Sequence, residues 1–153
     1  MSSFGPSKVN WFLFFKLPSA FFAGVRVQNL QEGSCTTTVK YGWKNQNPFR
    51  SIFWAVQGMA AELSTGVLLM AAIRKTAVSI SMLVLEVQGS FLKKAKGHVF
   101  FTCSDGSEIE KLVERAIESG ETQGIWLKSV GKDDEGEIVA LFEFQWSLKV
   151  RKS

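Results

Sequence analysis

Three patterns of apolar positions stand out along the chain. The first is a continuous apolar stretch over residues 47–73, NPFRSIFWAVQGMAAELSTGVLLMAAI, in which only Arg50 and Glu62 can ionise. Its length and lack of alternation predict one long helix buried on most sides. Either Asn47 caps it, with Pro48 at the first helical position, or Ser51 does so one turn later. The second pattern is a period of two: Phe142, Phe144, Trp146, Leu148 and Val150 alternate with Glu143, Gln145, Ser147 and Lys149, a half-buried strand within residues 137–150. The third is a helical stripe of Ile109, Leu112, Val113, Ala116 and Ile117, opened by Ser107 and Glu110 as a capping box and closed by Gly120.

The other segments fall between these landmarks. Residues 11–24 predict a short N-terminal helix broken at Pro18 and ended by Gly24. Residues 25–30 and 36–43 form a hairpin across Gln31-Glu32-Gly33-Ser34. A polar loop, residues 44–48, leads into the long helix. Residues 77–88 are a strand, residues 91–97 a turn, and His98–Cys103 another strand. Residues 123–130 and 137–150 make the last hairpin, joined by the polar loop 131–136. The sum is an α+β domain: a curved antiparallel sheet wrapped around one long central helix, with a short N-terminal helix and a second, amphipathic one. No repeat or low-complexity tract divides the chain, so a single domain over residues 1–153 is expected. A sheet with one covered face and open edges predicts at least a dimer.

Composition narrows the partners. The 153 residues are 46% hydrophobic and 21% charged, which excludes a disordered or fibrous chain. Thirteen Phe and five Trp against one Tyr point to a core or ligand cavity rich in large rings. The net charge of +4 is thinly spread and densest at Lys93, Lys94 and Lys96. With no basic stripe interleaved with aromatics, nucleic acid is not an expected partner, whereas an anionic small molecule suits the field. Cys35 and Cys103 are isolated and His98 is the only histidine, inside a strand pattern. Two buried thiols in a reducing compartment are expected; a metal site or a His-based triad is not. The N-terminal apolar segment is interrupted by Lys16 and Pro18 and lacks a cleavage signature. Residues 52–73 are long enough to span a bilayer, but they hold Gln57, Glu62, Ser64 and Thr65, and amphipathic strands follow that need a partner layer. A cytoplasmic protein with no membrane span is expected.

Glu62 is the candidate for chemistry. An unpaired carboxylate on a buried helix costs several kcal/mol, so its presence points to a function, with a structural ion pair as the other explanation. Gly58, Glu62 and Gly66 share one helix face, flanked by Ala55 and Thr65. That face either admits a ligand or a second backbone, or packs closely on a strand; each Gly costs about 1 kcal/mol against Ala in a helix interior.

The order of elements resembles the hotdog fold, and the spacing resembles the acyl-CoA thioesterases related to the phenylacetate-pathway enzyme, most closely an uncharacterised bacterial branch. In those proteins an Asn is followed after five residues by His-Gly-Gly, and after six more by Asp or Glu on the central helix. Here Asn47 is followed by Phe53-Trp54-Ala55 and then Glu62, while Phe91-Leu92-Lys93-Lys94-Ala95 is similar to the family's Phe-Leu-x-Pro-Ala turn. The resemblance implies that Glu62 is general base or nucleophile towards a thioester carbonyl, and that the backbone N–H of Trp54 polarises the carbonyl oxygen at the helix N-terminus. It implies that Asn47 positions substrate or water across a dimer interface from Glu62. Phe53, Gly58, Thr65 and Gly66 would line the substrate. The Ser or Thr common on the family's next strand falls at Val84, with Ser81 a neighbour. Lys93, Lys94 and Lys96 either reach coenzyme A phosphates or form an ordinary solvated turn.

A thiolate leaves readily, so one carboxylate and an oxyanion site suffice without histidine, and an apolar setting raises a carboxylate's pKa as a base requires. No cofactor is implied, coenzyme A being part of the substrate. The implied function is hydrolysis of a medium- or long-chain or aryl acyl-CoA, or an acyl-carrier thioester, by a homodimer, possibly a dimer of dimers. Replacement of His-Gly-Gly by Phe53-Trp54-Ala55 narrows the acyl group accepted. The same departure suits an alternative: a non-catalytic hotdog protein that binds acyl-CoA or a fatty acyl chain.

Overall fold

The computed structural model describes residues 4–152. Two helices open it, α1 (Pro6–Lys16) and α2 (Pro18–Phe22). Each begins on a proline, whose missing N–H costs nothing at a helix start. The first helix starts five residues before the expected position because Val9 and Leu13, one turn apart, give it a buried stripe of its own. Pro18 breaks it where expected, and Gly24, at φ +95°, turns the chain into the sheet. The strands and remaining helices follow as β1 (Arg26–Gln31), β2 (Ser34–Lys40), α3 (Trp54–Arg74), β3 (Ile80–Phe91), β4 (His98–Cys103), α4 (Gly106–Ser119), β5 (Gln123–Lys132) and β6 (Ile138–Val150).

All pairings are antiparallel, in the order β1-β2-β4-β5-β6-β3. The sheet curves around α3, and the alternation in β6 points Phe142, Phe144, Trp146 and Leu148 inward, all buried. Apolar burial is the main attraction between helix and sheet. Two buried hydrogen bonds fix the register: Ser64 and Ser129 share one of 2.8 Å, and Thr37 Oγ1 donates to Ala60 O at 2.5 Å. Gly131 is required on β5, since a Cβ there would lie 2.4 Å from the ring of Phe101. α3 is long and apolar enough to cross a bilayer, but most of it is buried inside the fold.

Three local expectations are corrected. α3 starts at Trp54, and neither Asn47 nor Ser51 caps it. Instead Asn47 Oδ1 accepts from the N–H groups of Phe49 and Ser51, closing a tight Asx turn. Phe53 N–H donating to Asn45 O then holds the approach to the helix extended. The Ser107–Glu110 box does not form either. Asp105 precedes α4, and its carboxylate is spent on the Lys128 N–H at 2.9 Å, tying the helix start to β5. Finally β3 begins three residues late, because the chain first turns through Ala77 at φ +57°.

The two sheet edges differ. On the β1 side, the Asn10 amide bonds both the N–H and the C=O of Val27, so α1 covers that edge. The β3 edge is bare. Leu83 and Leu85 are more than half exposed there, which makes a long apolar strand with unpaired backbone groups. Val87 and Phe91 lie opposite Phe144 and Ala140, hence on the helix side, yet they are 58% and 50% exposed. Ile80, Met82 and Val84 pack against the core, so only the Val87–Phe91 end of the inner surface of β3 is left uncovered.

Candidate active site

Glu62 stands at the middle of α3, on the flank turned towards β6. Its carboxylate has no ion pair or hydrogen bond among the described residues, and burial raises its pKa above the ordinary 4.5. The absence of a cationic partner matters: an ion pair would have held the value down. Thr65 and Gly66 fix the surroundings. Thr65 Oγ1 donates to Glu62 O at 2.7 Å and accepts from Trp146 Nε1 at 2.9 Å. A Cβ on Gly66 would fall 3.3 Å from the Trp146 ring and 3.6 Å from Glu62 Oε1, and one on Gly58 would fall 3.7 Å from Phe142. The two glycines therefore make room for rings of β6, as the close-packing reading required, and those rings flank Glu62.

Towards the helix N-terminus lies a cavity of about 530 Å³, lined by Asn47, Phe53, Trp54, Gln57, Phe91 and Lys94 among others. The Val56 and Gln57 N–H groups return to Phe53 O, which leaves those of Trp54 and Ala55 as open donors on an uncapped helix. The exposed rings of Phe53 and Trp54 meet edge to face, 6.0 Å apart, at the mouth. Gln57 was not singled out as a site residue in the sequence. It is 4% exposed; its Nε2 donates to Ile52 O at 3.1 Å, and its Oε1 has no partner. Its only signal was a neutral polar side chain inside the apolar run.

The other expected residues separate. Val84 pairs on the inner face with Trp146, the residue whose indole bonds Thr65. Ser81 pairs with Lys149 on the outer face, where its hydroxyl donates to Lys149 O, so it does not join the group. The Asn47 side chain lines the cavity, but both ends of its amide bond within its own loop, with Nδ2 donating to Ser51 Oγ. Lys93 is held by Asp133 at 2.8 Å and by Glu137, and the two carboxylates raise its pKa. Lys94 reaches only Phe49 O, at 3.4 Å. Lys96 is exposed.

Among the described residues no three His, Cys, Asp or Glu side chains come together. Cys35 and Cys103 face each other across β2 and β4 as buried free thiols, pushed up to about 12 by burial. Within one chain, Trp54 and Glu62 are about 12 Å apart along the helix at 1.5 Å per residue. One carbonyl group cannot reach both.

A sheet wrapped around a single long helix is the hotdog fold. A probable thioesterase from Pseudomonas aeruginosa superposes with a TM-score of 0.78 over 95% of this chain and 97% of its own, at 22% identity. A thioesterase from Haemophilus influenzae does so with 0.69 over 97% and 93%, at 12% identity. A Staphylococcus aureus thioesterase, solved as separate alanine variants of a glutamate and a glutamine, gives 0.58 and 0.57 at 13% identity, over 83% and 82% of this chain and 94% and 93% of its own. At these identities the likeness establishes the fold. By sequence, residues 5–148 match the domain of unknown function DUF4442, and the chain belongs to that family. No curated protein matches the sequence.

Proposed function

We propose that the protein hydrolyses an acyl thioester, an acyl-CoA or acyl-carrier conjugate with a medium- or long-chain or aryl acyl group, as a homodimer in the cytoplasm. The observation that carries this reading is a carboxylate with no partner, its pKa raised by burial, on an apolar helix beside the Trp146 ring. In the reaction Glu62 takes a proton from water as the water oxygen bonds to the carbonyl carbon, or attacks that carbon itself. The carbonyl oxygen gains negative charge and accepts from the Trp54 N–H at the positive end of α3. The C–S bond then breaks and the thiolate leaves; where Glu62 itself attacked, water then cleaves the acyl–Glu62 anhydride, releasing the acid and the free carboxylate.

The spacing of Trp54 and Glu62 supports a shared site. With about 12 Å between them on one helix, a second copy paired along the bare β3 edge would supply the Trp54 that faces this Glu62. The neighbouring structures lend a further argument. In the staphylococcal thioesterase, the altered glutamate follows the altered glutamine at the same sequence separation as Glu62 follows Asn47. Incubation with acyl-CoAs of increasing chain length, read as free thiol, tests the proposal.

A second reading is a hotdog protein that holds an acyl chain without turning it over. The Phe53 and Trp54 rings at the mouth and the self-satisfied Asn47 amide favour it. Saturable acyl-CoA binding with no thiol release on any chain would select it.

A further inference from the structure

Gln57 is buried on an apolar helix, yet only half of its amide is used. Nε2 donates to Ile52 O at 3.1 Å, and Oε1 is the one fully buried side-chain polar atom among the described residues without a partner. Turning the amide over would set its oxygen against the Ile52 carbonyl and leave its amino end unpaired. The bond to Ile52 therefore fixes the acceptor as the open end. A buried acceptor left open is costly, so a donor is expected to meet it.

Ile52 and Gln57 both line the cavity of about 530 Å³ at the start of α3. Long helical side chains lean towards the N-terminus, and Gln57 leans back far enough to reach a residue that precedes the helix. Its amide thus lies beside the first turn, where the Trp54 and Ala55 N–H groups are open. The other polar side chains of the cavity are engaged elsewhere. Asn47 and Ser51 bond each other, and Lys93 is held by Asp133 and Glu137. Lys94 also lines the cavity and meets no carboxylate among the described residues. A complementary ligand presents a carbonyl oxygen to the helix start, an N–H or O–H a few bonds away, and negative charge further along.

We propose that Gln57 Oε1 accepts a hydrogen bond from the thiol arm of the substrate, at the amide N–H nearest the sulfur. This rests on the thioester reading and places the arm, rather than the acyl chain, in this cavity. The arm of coenzyme A or of an acyl carrier holds that N–H and leads to phosphate, which suits Lys94. A plain acyl chain has no donor and would leave Gln57 Oε1 unpaired. Gln57 is then a binding residue and takes no proton in the reaction.

The test compares two thioesters: S-decanoyl N-acetylcysteamine, which has the N–H, and S-decanoyl 2-acetoxyethanethiol, in which oxygen replaces it. Calorimetry on the Glu62→Gln protein reads their binding without hydrolysis. With Gln57 present the amide should bind about tenfold tighter. Gln57→Leu in the same background should bind the two equally, having lost affinity for the amide alone. Gln57→Met takes its place if the leucine variant does not fold. Equal binding of the two thioesters with Gln57 present, a preference for the amide that survives its replacement, or no binding of either overturns the proposal. Thiol release by wild type is scored separately: its absence beside an intact amide preference rejects the hydrolase and upholds this contact.

Discussion

The indole Nε1 of Trp146 donates to Thr65 Oγ1 at 2.9 Å, one turn along α3 from Glu62. This bond joins β6 to the helix that carries the acid, and it uses a hydroxyl that sequence reasoning assigned to substrate. Thr65→Val keeps the shape but leaves the buried indole N–H without an acceptor, so it should destabilise the fold by about 1–3 kcal/mol. Thr65→Ser retains the oxygen and should lose much less. Chemical denaturation of the two variants checks this; equal stability would contradict the geometry.

Burial raises the pKa of Glu62 in the folded state above the 4.5 of an ordinary glutamate. The folded protein then binds the proton more tightly than the unfolded chain. Stability is full below the unfolded value and falls as pH rises through the folded one. Glu62→Gln removes this dependence. The variant should melt higher than wild type at pH 8, and the gap should close by pH 4. For the same reason the acid limb of kcat/KM should lie above the ordinary carboxylate range, since a base must be ionised to act.

No helical carbonyl precedes Trp54 to accept from its N–H, and Phe53 sits at φ −57°, ψ 133°, an extended conformation that tolerates a following proline. Trp54→Pro therefore deletes the proposed oxyanion donor and keeps the helix start. Turnover should fall about 10²–10³-fold, with Trp54→Ala as the control for loss of the ring. If the site is shared, mixing Glu62→Gln with Trp54→Pro and exchanging subunits should restore activity, because the mixed dimer holds one intact Glu62–Trp54 pair. No recovery after verified exchange would contradict the shared site.

A bare β3 edge with exposed Leu83, Leu85 and Val87 predicts pairing with a second copy. Wild type should sediment as a dimer of the 17.0 kDa chain, and Leu85→Lys/Val87→Lys as a folded monomer without hydrolase activity. A wild-type monomer that turns over substrate would exclude the shared site.

Lys93 and Lys94 are neighbours with different surroundings. Lys93 is engaged by Asp133 and Glu137, whereas Lys94 meets only a backbone carbonyl. Lys94→Ala should weaken coenzyme A binding, more at low salt than at high, and Lys93→Ala should change it less. Titration calorimetry separates the two.

Much of the fold was legible because burial here follows simple periods. The alternation in β6 and the stripe of α4 both appear where their sequences placed them, although Ile117 stays partly exposed. Helix starts were read less well, since Asn47 and Ser107 have the right side chains but tertiary partners decide whether they cap. Asn47 closes its own loop, and Asp105 is drawn to β5. Within the site, Glu62 was legible as a charge inside an apolar run. Gln57 was not, because its unpartnered oxygen depends on how Ile52 and Phe53 approach the helix. The split fates of Lys93 and Lys94 depend on a loop forty residues away in sequence.

Hydrolysis by this fold requires that Glu62 act on a thioester. Thiol release from a panel of acyl-CoAs, wild type beside Glu62→Gln, tests it most directly. Wild type should turn over thioesters of some chain lengths, and the variant should lose about 10²–10⁴-fold with acyl-CoA still bound. Undiminished turnover by Glu62→Gln, or none by wild type on any thioester, would contradict it.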